Sequence, residues 1–182
     1  MFGVQLARLL MSAKIFCTLF LIGIGFGSLA AFTQAATAVG LSPADIQGSL
    51  APDMPMMHMG HGQMSGEKEI SIGDISNTAK VWIRTPLLIQ TSHTHLFGQT
   101  LIAGLLGVIF LFASIGEVPK SVIISLPFVG TLIDIGGMWL TRYLWPPLSV
   151  LVMIGGSVFA LGYTLITVIS LYELWLRKEV VR

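Results

Sequence analysis

Five methionines and two histidines fall within eleven residues of this sequence, Met54-Pro55-Met56-Met57-His58-Met59-Gly60-His61-Gly62-Gln63-Met64. Thioether sulfur is a soft donor and imidazole a borderline one. Met54, Met56, Met57, His58, Met59, His61 and Met64 therefore form a donor set suited to Cu(I), with Cu(II) held through the two imidazoles. Methionine in an exposed loop has little packing use, and copper binding is the first expectation. The second is adaptive contact with a partner protein or the membrane, which flexible thioether side chains also serve.

The other two histidines lie in Ser92-His93-Thr94-His95-Leu96-Phe97-Gly98. On a helix, residues two apart point roughly 200° from each other, so His93 and His95 cannot share one ion unless the helix frays. An imidazole at the edge of a membrane span can be an axial ligand to haem b, a copper ligand or a hydrogen-bonded structural group. Asp134 is the third chemical candidate, an ionisable residue inside an apolar run and a functional position by default. It is expected in the same half of the bilayer as His95, either holding that imidazole's tautomer or, neutral, bonding a backbone carbonyl. His93, His95 and Asp134 are thus the candidate cofactor-binding residues. His95 is expected to couple to the membrane core, and His93 to be wetter.

The elements that must carry these groups follow from composition. Of 182 residues, 54% are hydrophobic and only 10% charged, against about 25% charged in a soluble domain. Four runs reach the length of about 20 residues that crosses a bilayer as helix: 15–36, 96–116, 121–141 and 148–172. The fold expected is an all-α membrane protein, a four-transmembrane-helix bundle with a small extracytoplasmic loop region between the first two spans. Its parts are an N-terminal helix over 1–37, the Met/His-containing region over 38–92, and a three-helix core with a cytoplasmic tail over 93–182. Pro127 and Asp134 in the third span mark it as packed inside, where neighbouring helices supply partners. The many glycines of the spans allow close helix approach. The first run also has features of a signal peptide, since Arg8 and Lys14 precede an apolar stretch ending in Thr33-Gln34-Ala35-Ala36. Its length and its Gly23-x-x-x-Gly27 spacing favour a retained helix.

With both termini in the cytoplasm, Arg8, Lys14, Lys120, Arg177, Lys178 and Arg182 lie inside, and Lys68, Lys80, Arg84 and Arg142 outside. The excess of cations on short inner segments favours this orientation in a bacterial inner membrane. Trp82, Trp139, Tyr143 and Trp145 then fall near the outer interface, Tyr172 and Trp175 near the inner one. In the outer region, Ser42-Pro43-Ala44-Asp45 predicts a helix start. Asp74 and the spacing of Ile75, Ala79, Trp82 and Ile83 predict a second, interfacial helix ended by Pro86. Glu117-Val118-Pro119-Lys120 and Trp145-Pro146-Pro147 are read as tight turns. The single cysteine, Cys17, excludes an intrachain disulfide or a CxxC pair. The scattered basic residues exclude a nucleic-acid surface.

From Ser92 to Leu176 the chain resembles a family of small bacterial inner-membrane proteins that carry the label "elongation factor-1 alpha". The likeness rests on Ser92-His93-Thr94-His95-Leu96-Phe97-Gly98, Leu126-Pro127-Phe128, Ile133-Asp134 with Trp139-Leu140-Thr141, and Met153-Ile154-Gly155-Gly156. The label misleads, because no phosphate-cradling GxxxxGK loop is present and GTPase chemistry is excluded. Members of that family carry a CxxCH haem-attachment motif in the outer region, which implies a link to respiratory electron transfer. This chain lacks the motif and has its Met/His segment there, so the resemblance carries over the membrane core and not a covalent haem.

Three functions are weighed from these features. The first is a non-catalytic membrane subunit or accessory protein of a periplasm-facing redox or copper-dependent system, binding copper through the Met/His segment and haem b at His93 or His95. Its partners would be lipid and the other membrane subunits of that system. The second is a purely structural scaffold subunit of a larger complex. The third, a transporter, fits four spans without internal repeats poorly. No nucleophile–base pair or cofactor fingerprint argues for an enzyme. The topology has a direct check: a reporter active only in the periplasm should be silent when fused to the C-terminus and active when inserted within residues 38–92. Activity at the C-terminus would overturn the four-span arrangement.

Overall fold

The computed structural model describes residues 5–50, 83 and 85–177. Five α-helices and two short 3-10 turns make up the described chain: α1 Met11–Ala38, α2 Pro43–Leu50, α3 Thr85–Phe110, α4 Glu117–Tyr143 and α5 Ser149–Trp175. All but α2 are long and apolar enough to cross a membrane, and no strand occurs among the described residues. The protein is an all-α, multi-pass membrane bundle.

Four spans put both termini at one end of the bundle, and the opposite end carries α2 and the flanks of segment 51–82. At this loop end Gly40 takes a left-handed φ of 96° and closes α1, its N–H reaching back to Ala35 O. A side chain there would strain the backbone and strike Asp45. Two residues on, Ser42 caps α2 as expected. Its Oγ accepts from the Asp45 N–H at 3.1 Å and donates to the Asp45 carboxylate at 2.7 Å.

The sequence expectations for α3 and the turn after it need correction. The helix starts at Thr85, eleven residues before the expected span, and a domain boundary at 92/93 would fall inside it. Pro86 opens this helix instead of ending one. In the first turn its missing N–H costs nothing, because that group has no partner within a helix. The rest of the expected interfacial helix lies outside the described residues. α3 also ends at Phe110, and the turn is 111–116, so Glu117 to Lys120 form the first turn of α4.

The closest helix pair is α4 with α5, antiparallel and nearly in backbone contact. Four glycines permit this. A Cβ at Gly155 would overlap the backbone of Asp134, and one at Gly130 would overlap the backbone of Phe159. A Cβ at Gly137 would lie 2.8 Å from Val152 N, and one at Gly162 would lie 2.6 Å from Pro127 Cδ. Contacts therefore step from 127/162 through 130/159 and 134/155 to 137/152, one helix rising as the other descends. In lipid, where apolar surface has no water to escape, such close packing is what brings helices together.

α3 lays one stripe against this pair: Leu88, Ser92, His95, Gln99, Ala103, Leu106 and Phe110, a three-and-four spacing that follows one helix face. At the terminal end Leu106 and Phe110 pack with Leu6, Leu21, Ile166 and Leu174. At the loop end α2 closes the bundle through Ile46 and Leu50, which pack with Leu88 and the partly buried Met138, Trp139, Val152 and Met153. α1 is peripheral; it is held by a bond from Trp175 Nε1 to Thr18 Oγ1 at 2.9 Å and by a thin apolar seam.

Buried charge clamps both ends. The Glu173 carboxylate accepts the Ser114 N–H with both oxygens, at 2.9 and 2.8 Å, and pairs with Arg177 at 2.7 Å. Arg142, also buried, donates to Leu50 O, Ile83 O and Thr85 Oγ1 at 3.4 to 3.5 Å. Because Gly155 has no room for a side chain, Gly155→Leu should push α4 and α5 apart and cost roughly 1–3 kcal/mol of bundle stability. Gly156→Leu should cost little, since a Cβ there meets nothing. Unfolding of both variants in detergent would check the contrast.

Candidate functional site

The α3–α4 seam carries a column of polar contacts that begins at the loop end. Tyr143 OH bonds to Thr85 Oγ1 at 3.1 Å. One step deeper, Trp139 Nε1 donates to Ser92 Oγ at 2.8 Å, with its ring stacked on Tyr143 at 5.6 Å. Deeper again, His95 Nδ1 stands 4.0 Å from Asp134 Oδ2. One turn below, Gln99 Oε1 is buried with no hydrogen-bond partner among the described residues. The paired positions run in opposite directions along two antiparallel helices, as the register of a single seam requires.

The structure brings His95 and Asp134 together and keeps His93 apart from them. His93 is exposed on the other side of α3, with its ring against Phe97 at 4.8 Å. Both histidines lie within a regular helix, eight and ten residues from its start. Fraying is thus no route to a shared ligand. His95 Nδ1 is buried and makes no hydrogen bond among the described residues, while the side chain as a whole is 41% exposed and that of Asp134 only 10%. The imidazole turns its Nδ1 edge to the carboxylate and its Nε2 edge outward. At 4.0 Å the pair stands about 1 Å beyond ordinary hydrogen-bond length.

Asp134 is placed by its own backbone. Its N and Cα lie against Gly155, so the glycine contact that joins α4 to α5 also sets the carboxylate's depth. Nine residues separate Asp134 from the loop end of α4, a distance of about 14 Å. His95 lies about 15 Å along α3 from Thr85. Between this pair and the loop end stand the apolar residues Ile46, Leu50, Leu88, Val152 and Met153. Among the described residues the pair is therefore covered toward the loop end, and its exposed part belongs to His95.

Met54, Met56, Met57, His58, Met59, His61 and Met64 lie outside the described residues. Among the described residues no group of three or more His, Cys, Asp or Glu side chains stands close enough to hold a metal ion. His95 and Asp134 are two such groups, and on their own they make an imidazole backed by a carboxylate rather than a closed metal site. Gln99 and Ser92 were not singled out from the sequence as site residues. The signal was there, since 92, 95 and 99 follow the three-and-four spacing of one helix face. Trp139, expected at the interface, is turned inward by its bond to Ser92.

Residues 83–181, just over half of the chain, match a family model described as a transmembrane helical domain. The match takes in α3, α4 and α5 and leaves out α1 and α2. No curated protein and no solved structure matches the chain.

His95 faces a carboxylate and His93 does not, so His95→Ala should lower bundle stability by on the order of 1 kcal/mol more than His93→Ala, the scale measured for polar contacts between membrane helices. Thermal unfolding of the two variants in detergent would decide it. A larger loss for His93→Ala would refute the ordering.

Proposed function

The chain belongs to the family of that transmembrane helical domain, and from this premise we propose that it is a non-catalytic membrane subunit or accessory protein of a redox or copper-dependent system facing the periplasm. The observation that carries the reading is the His95–Asp134 pair. An imidazole whose Nδ1 faces a carboxylate and whose Nε2 is presented outward is the arrangement by which proteins orient and strengthen a histidine ligand. A scaffold helix has no need of it, and an ionisable pair at this depth is expensive to keep without use.

In this reading the two chemical regions have separate tasks. Met54, Met56, Met57, His58, Met59, His61 and Met64 take copper on the outer side, as their soft donors favour. His95 serves the membrane phase with Asp134 behind it. For a haem b, His95 would be the axial ligand among the described residues of that face, since His93 points elsewhere on α3. The protein would sit in a bacterial inner membrane with both termini in the cytoplasm, the side favoured by its cation distribution. The exposed apolar residues of α1, among them Phe16, Leu19, Phe26 and Leu29, suit lipid or the other membrane subunits of the system.

A purely structural scaffold is the second reading, and the glycine-faced α4–α5 contact favours it. The two separate by composition of the purified protein. The redox and copper reading expects stoichiometric copper that is lost when Met56, Met57, His58, Met59 and His61 are replaced together, with the helical content unchanged. Copper content that is unchanged by those replacements would refute the copper assignment; absence of copper and of any bound chromophore would favour the scaffold.

A further inference from the structure

We propose that the terminal end of the bundle encloses a structural water held by Ser114, Ser170 and Glu173, which fastens the turn after α3 to α5. The inference is independent of the redox reading of His95 and Asp134. It starts from the way hydroxyl groups inside this bundle are satisfied.

A serine or threonine within a helix can give its proton to the carbonyl one turn back. Thr18, Thr94, Thr131 and Thr141 do so here, at 2.7 to 2.9 Å. Thr167 and Ser170 of α5 do not, although both hydroxyl oxygens are buried and Ser170 is 0% exposed. Ser114, in the turn 111–116, carries another buried hydroxyl without a partner among the described residues. These three are therefore not bonded to one another either.

They belong to one place. The Ser114 N–H meets both oxygens of Glu173, at 2.9 and 2.8 Å, and Glu173, Ser170 and Thr167 follow one another at intervals of three along α5. Side chains at that interval stand about 5–6 Å apart, a gap that one water spans with two hydrogen bonds of about 2.8 Å. The Glu173 carboxylate keeps acceptor capacity after Ser114 and Arg177 are bonded. Leu6, Phe110, Ala113 and Leu174, each 3% exposed or less, form the apolar cluster of the same end, and the Leu6 N–H bonds to Phe112 O at 3.1 Å. Tyr163 OH, also unpartnered, lies elsewhere: its ring is stacked with Phe159 and its hydroxyl stands toward Gly25 of α1.

Charge selects the occupant. Glu173 is balanced by Arg177 at 2.7 Å, so an anion would meet the carboxylate and a cation the guanidinium. A neutral molecule that both donates and accepts suits hydroxyls and a half-used carboxylate together, and water is the smallest that does. Hydroxyls withdrawn from solvent are costly unless bonded, and a shared water removes that cost for Ser114 and Ser170 at once.

The first test is a double-mutant cycle on the full chain in detergent. If the hydroxyls are merely unpartnered, Ser170→Ala removes a buried cost and adds a better helix former, so its melting temperature should be equal or higher. With the water, Ser170→Ala and Ser114→Ala should each lower the melting temperature by several degrees, and the double variant by little more than the worse single one. Tyr163→Phe, combined with Ser114→Ala, should be additive. The second test needs no variant to be made: radiolysis in heavy-oxygen water marks side chains beside bound water even where bulk water has no access. Phe110 or Leu174 should take up heavy oxygen, and the mark should be lost in the double variant. A Ser170→Ala protein as stable as the parent, additive losses for Ser114 and Ser170, no mark at Phe110 or Leu174, or a mark that survives the double replacement would each overturn the proposal.

Discussion

Everything in the bundle is referred to the line along which α4 and α5 touch backbone to backbone. Water drives soluble helices together; lipid does not, and a membrane helix pair must gain its stability from contact that the acyl chains cannot match. Gly130, Gly137, Gly155 and Gly162 make that contact by removing the side chains that would hold the helices apart. The contact also acts as a ruler. It fixes which turn of α4 faces which turn of α5, and so fixes the height of every other group on α4: Lys120 at one end, Arg142 at the other, and Asp134 between them. α3 then seats on an already defined surface, and the Thr85–Tyr143, Ser92–Trp139 and His95–Asp134 contacts follow from one register.

Polar groups in this setting do two kinds of work. Glu173 and Arg142 tie helix ends to backbone groups that the helices leave unpaired, and their burial is matched by several hydrogen bonds each. His95 and Gln99 are different, since each keeps a buried polar atom that no described residue satisfies. They are not alone: the hydroxyls of Ser114, Ser149, Tyr163, Thr167 and Ser170 are also buried without a partner among the described residues, so open polar atoms occur along the whole length of the bundle.

The spans, the capped start of α2 and the inward place of Asp134 were legible in the sequence, because each depends on local signals: hydropathy over about 20 residues, a Ser-Pro-Ala-Asp cap, an acid within an apolar run. The start of α3 was not. Hydropathy marks where a helix enters hydrocarbon, and Thr85 to His95 are too polar to register, although they continue the same helix. Pro86 was misread for a similar reason, since proline ends one helix and opens another with equal ease. The His95–Asp134 approach could be expected from depth alone. The partnership of Ser92 with Trp139, and the open atom of Gln99, needed the rotation of α3 about its axis, which only the tertiary contacts set. The Met/His donors remain a reading of residue types, since they lie outside the described residues.

The chain leaves the bundle at Leu50 and returns at Ile83 through almost the same point, for the Ile83 N–H bonds to Ser49 O at 2.9 Å and Arg142 holds the carbonyls of both Leu50 and Ile83. The two ends of the segment are therefore held at one place, whatever length of chain lies between them. Doubling its length would add only about 0.6 kcal/mol of closure entropy. The knot of Ser49, Leu50, Ile83 and Arg142 thus fixes where segment 51–82 starts and ends, and a change in the length of that segment is felt by the helices only through this one point of closure.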